Sequence, residues 1–127
     1  MNATHTSAEL LEPVVIPDSV DQCFELLGHD NLFGLGDFAR EAGFEETVLT
    51  TPDTLRGVLG EAVLDGPPSE LVHAVTDVLR ELRDAMKRYP GTKSHVVRDR
   101  TGRGSVVDLL VRQNLSSSQP FTLVTLR

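Results

Sequence analysis

Between residues 93 and 112 the chain places five bases, Lys93, Arg98, Arg100, Arg103 and Arg112, against only two acids, Asp99 and Asp108. Guanidinium groups grip phosphate oxygens through paired N–H donors. The run Arg100-Thr101-Gly102-Arg103-Gly104 has the glycine content of an exposed turn, where such groups would meet a nucleic-acid backbone without obstruction. His95 beside Ser94, with Arg98 and Arg100 close by, is a set that could move a proton and steady a pentavalent phosphate. It has no second histidine or glutamate beside it, and Asp108 is the only carboxylate in the neighbouring run, so no catalytic residue is assigned and the chain is read as a non-enzyme. The simpler account of the five bases is that they are solvated strand residues, and the lack of interleaved aromatics weighs against nucleic acid.

The opposite charge is gathered in the first half. Residues 1–70 hold 14 of the 19 acids and two bases, Arg40 and Arg56; residues 71–127 hold five acids and ten bases, so the net charge of −7 divides into −12 and +5. Asp18, Asp21, Glu25, Asp30, Asp37, Glu41, Glu45 and Glu46 fall within one short stretch. Such a field suits docking on a partner protein with a basic surface, through fast and salt-sensitive association. Solubility alone is the plainer use of it. Protein–protein interaction through these eight acids is the favoured reading, and nucleic-acid binding through Lys93, Arg98, Arg100, Arg103 and Arg112 is the alternative.

Other chemistry finds little support. His29-Asp30 and His73 lack Cys or Glu partners at ligand spacing, so neither a metal nor a cofactor is expected. Pro90-Gly91-Thr92-Lys93-Ser94 ends like a phosphate-binding loop but reverses the required order of strand, loop and helix. The single cysteine, Cys23, falls on an apolar helical stripe and reads as an inert buried thiol. No apolar run is long enough to cross a bilayer, and the first residues, MNATHTSAELLEP, lack a basic segment followed by an apolar one; a cytoplasmic protein is the expectation.

The elements that must position these residues follow from hydrophobic period. Residues 1–16 show none and read as an N-terminal arm, leaving 17–127 as one domain. Val20, Cys23, Phe24 and Leu27 make a short amphipathic helix capped by Asp18 and stopped at Gly28. A second short helix is expected in DFAREAGF, a short strand at Thr47–Thr50, and a helix from Thr51-Pro52-Asp53 to Asp65-Gly66. Leu71, Val72, Val75, Val78, Leu79, Leu82 and Met86 then hold a period of 3.6 in the longest helix, residues 69–88, with Ser69 as its cap. After Gly91 the period changes to two, and SHVVRD, SVVDLLVRQ and FTLVTLR follow one another across short connections. The expected fold is therefore α+β: N-terminal helices followed by a C-terminal three-stranded antiparallel meander packed on the longest helix, with 104–113 as the central strand.

The order of these pieces resembles an uncharacterised domain-of-unknown-function family frequent on phages, plasmids and chromosomes of GC-rich bacteria. The stretches that carry the resemblance are Asp37-Phe38-Ala39-Arg40-Glu41-Ala42-Gly43-Phe44, Asp77-Val78-Leu79, and Gln119-Pro120-Phe121-Thr122-Leu123-Val124-Thr125-Leu126, over roughly residues 18–127. Arg80 stands where members of that family carry an aromatic residue. The resemblance implies no reaction and no cofactor; it implies an accessory protein of a mobile genetic element.

Overall fold

The computed structural model describes residues 16–28, 31–101 and 104–127. Helix α1 (Val20–Leu27) starts at Ser19, whose hydroxyl accepts the Gln22 N–H at 3.2 Å, so the cap is Ser19 rather than the neighbouring Asp18. Strand β1 (Phe33–Gly34) leads into α2 (Gly36–Glu41), and β2 (Thr47–Thr50) into α3 (Pro52–Leu59), where the Thr51 hydroxyl accepts the Thr54 N–H at 3.1 Å. Gly60, at φ +81°, turns the chain from α3 into α4 (Glu61–Leu64), and a Cβ there would come within 3.1 Å of the Thr101 methyl. The longest helix, α5 (Pro68–Arg88), opens on Pro67-Pro68 with no side-chain cap, which corrects the expectation of a Ser69 cap. Proline at the first helical position needs no N–H partner, so the start is set by ring geometry instead. Strands β3 (Ser94–Arg98), β4 (Val106–Asn114) and β5 (Phe121–Leu126) complete the chain.

The fold is α+β, but the sheet is not the three-stranded antiparallel meander anticipated from the sequence. It has five strands in the order β1-β2-β5-β4-β3, and it is mixed: β2 runs parallel to β5, with Thr47 opposite Phe121 and Thr50 opposite Val124. The physical reason lies in β5, where Phe121, Thr122, Leu123, Val124 and Thr125 are all buried. A strand buried on both faces cannot also be an edge. β2 pairs with its free side, and Thr50 Oγ1 donates to the Val124 carbonyl at 2.8 Å. β5 is therefore the centre, and β4, the expected centre, sits one place from the edge.

Alternation along the strands sends neighbouring residues to opposite faces. Val48, Val97, Leu109, Val111 and Val124 pack with residues of α2, α3 and α5, among them Ala39, Val58, Leu59, Val78, Leu79 and Leu82. Leu49, Phe121 and Leu123 point the other way, into a smaller cluster with Cys23 and Leu32 under α1. The long helix thus covers one face and the short helix α1 part of the other. Full burial of a side chain such as Leu82 stabilises the fold by about 1.5–3 kcal/mol.

Candidate functional site

The hairpin bases do not share one surface. Arg100 is enclosed: its side chain is only 13% exposed, with Nη2 2.9 Å from Asp77 Oδ2 and Nη1 2.8 Å from Glu81 Oε1, both on α5. Its backbone N–H donates to the Val58 carbonyl at 2.7 Å, which fixes the turn against the end of α3. Arg98 is mostly exposed, yet its backbone N–H donates to Glu81 Oε2 at 2.8 Å and its Nε lies 3.5 Å from Oε1. The Arg98 carbonyl accepts from Arg100. These contacts occupy the outer edge of β3 at Arg98, so charged groups blunt a strand edge that would otherwise pair with another chain. The hydrogen bond from Arg100 holds the Asp77 carboxyl below the usual carboxylate range, overcoming a smaller opposing effect of burial.

Of the remaining bases, Lys93 is exposed ahead of β3. Arg112 is opposite Leu123 in β4 and so lies on the face that carries α1. Arg103 falls outside the described residues. The acids that neutralise Arg98 and Arg100 thus come from α5, in the basic half of the chain, and not from the acidic first half.

The seven described acids of the eight divide between the two faces of the sheet. Asp18, Asp21 and Glu25 are exposed on and beside α1. Asp37 and Glu41 are exposed on α2 across the sheet, where Asp37 pairs with Arg40; Glu45 is exposed just beyond. Glu46 is partly buried and accepts hydrogen bonds from Gln113 Nε2, at 3.1 Å, and from the Thr122 hydroxyl. Asp30 lies outside the described residues. Among the described residues no basic side chain pairs with Asp18, Asp21 or Glu25. Beside them Leu26 is 53% exposed, and Pro17, Gln22, Glu25 and Leu26 line a depression of about 290 Å³. Leu26 is the one position of α1 at which a large apolar side chain faces outward, and the sequence signal for it was present: it falls between the stripe positions Cys23 and Leu27.

His95 and the arginines do not assemble into an acid–base set. His95 is 4% exposed and faces α5 together with Val97, while the side chains of Arg98 and Arg100 are held by Asp77 and Glu81 of that helix. The His95 Nε2 is 2.9 Å from the Thr92 carbonyl; since a carbonyl only accepts, that nitrogen carries the proton. Ser94 instead donates to Asp108 Oδ1 at 3.0 Å. His73 is exposed on α5. Cys23 is free and fully buried, and burial pushes its thiol pKa up against the opposing charge of Arg112. Among the described residues no group of three or more His, Cys, Asp or Glu is placed to hold a metal ion, and no helix is long and apolar enough to cross a membrane.

Comparison with protein-family models, curated proteins and solved structures finds no match.

Proposed function

We propose that the chain is a binding protein of the cytoplasm that engages a protein partner with a basic surface through α1. The observation that carries this is the contrast between the two charged regions. Arg98 and Arg100 are neutralised by Asp77 and Glu81 within the fold. Asp18, Asp21 and Glu25 pair with no base among the described residues, and Glu25 lines one depression with the exposed Leu26. Unspent charge on the same short helix as an exposed apolar side chain suits a docking patch: the charge steers encounter, and the apolar contact slows dissociation. The same contrast weakens the alternative of nucleic-acid binding, because Arg98 and Arg100 must give up Asp77 and Glu81 before they can displace phosphate counterions. An accessory role on a phage or plasmid rests on the sequence resemblance.

The test is retention of partners from an extract of the native cell by the immobilised chain, compared with the variant Asp21→Lys, Glu25→Lys, Leu26→Asp. All three positions are exposed, so the variant keeps the core. The partner should be lost with the variant and eluted from the wild type by moderate salt. The same partner held equally by both, with the same salt sensitivity, would remove α1 from the account.

A further inference from the structure

Across the sheet from α1, the end of α5 and the start of β3 enclose a pocket of about 380 Å³. Arg83, Met86 and Lys87 contribute from the last turns of α5, at the i, i+3, i+4 spacing that puts them on one side of the helix. Gly91, at φ +84°, lets the chain reverse through Tyr89-Pro90-Gly91-Thr92, so that Lys93 and His95 close the pocket from the other direction. Val111 and Gln113 reach it from β4, and Ile16 from the segment ahead of α1. The described lining therefore holds three permanent cations, Arg83, Lys87 and Lys93, and no carboxylate. Glu46, which is hydrogen-bonded to Gln113, directs the same oxygen to Gln113 and to Thr122. Arg83 is steadied by the Phe44 ring, 5.4 Å from its guanidinium carbon. Lys87 complements the negative end of the α5 dipole, but Arg83 lies further back along the helix and Lys93 beyond it, so the dipole does not account for three cations on one concavity.

We propose that this pocket binds a small phosphate monoester, with the phosphoryl oxygens among Arg83, Lys87 and Lys93 and the body of the ligand on Met86, Val111 and Ile16. The volume is that of a small-ligand site, and an apolar floor with a few convergent polar groups is the usual make-up of one. A phosphate monoester carries close to two charges at neutral pH and three strong acceptor oxygens, a number that the three cations match. His95 lines the pocket with its ring anchored through Nε2 to the Thr92 carbonyl at 2.9 Å, which fixes that wall.

The experiment follows backbone amide shifts of the full chain during titration with phenyl phosphate, inorganic phosphate and malonate. Phenyl phosphate should bind saturably with shifts centred on residues 83–95, and more tightly than inorganic phosphate, which cannot use the apolar floor. Lys87→Ala with Lys93→Ala, both at exposed positions, should weaken it about tenfold, as expected for losing charge-assisted contacts, while Arg127→Ala leaves it unchanged. Absence of saturation below about 10 mM, an unchanged affinity in the double variant, or malonate binding as tightly as phenyl phosphate would each overturn the proposal.

Discussion

Removing the Arg100 guanidinium should destabilise the fold far more than removing that of Arg98, although the two lie two residues apart in the same basic run. The Arg100 side chain is 13% exposed and meets two carboxylates, at 2.9 and 2.8 Å; the Arg98 side chain is 74% exposed and meets one, at 3.5 Å. A hydrogen bond to a charged group contributes about 1.5–3 kcal/mol, and breaking a fully buried pair costs about 3–5 kcal/mol. Glu81 and Asp77 retain 27% and 51% exposure, so water recovers part of the loss, and Arg100→Ala should cost about 2–3 kcal/mol. With an unfolding entropy of about 2.1 cal/mol/K per residue, the 127-residue chain should lose about 7–11 °C in Tm. Arg98→Ala should cost no more than about 1 kcal/mol, as exposed pairs do. The assay is thermal and urea unfolding of the two variants beside the wild type at low and high salt. Equal losses within about 0.5 kcal/mol would show that Arg100 is solvated like Arg98, and the claim that the hairpin is neutralised from within would fall with it.

Leu79→Ala, at a position 4% exposed in the middle of the α5 stripe, should cost about 2–5 kcal/mol by urea unfolding; a wild-type midpoint would place the stripe on the wrong face. Because the folded state depresses the Asp77 pKa, its contribution is present above the ordinary aspartate pKa and is lost as pH falls through the lower folded value. Asp77→Asn should therefore flatten the acid limb of the stability profile and leave its alkaline limb alone. Cys23 is fully buried with a raised thiol pKa, so an aromatic disulfide reagent should modify it only as the chain unfolds; rapid labelling of the native protein would contradict its place under α1.

What could be read from the sequence divides according to distance along the chain. The stripe from Leu71 to Met86 and the change of period after Gly91 are local patterns, and they mark α5, β3, β4 and β5. The pairing of β2 with β5 joins Thr47 to Phe121, and no turn or alternation records a contact across so many residues. That is why the sheet was expected to have three strands. The Arg100 contacts with Asp77 and Glu81 were hidden for the same reason, since they cross from a turn to the side of a helix. His95 was more accessible: its alternation with Val97 already set it on the core side of β3. The separation of Asp18, Asp21 and Glu25 at α1 from Asp37 and Glu41 on α2 follows from a sheet lying between them, which charge counting along the chain does not register.

Amide hydrogen exchange of the chain, free and in complex with the partner retained by the wild type, tests the docking claim most directly. The account predicts slowed exchange on binding confined to α1 and its approach, residues 18–27, with the amides of 93–101 unchanged. Protection over 93–101 with α1 unaffected would contradict it and return the interaction to the hairpin.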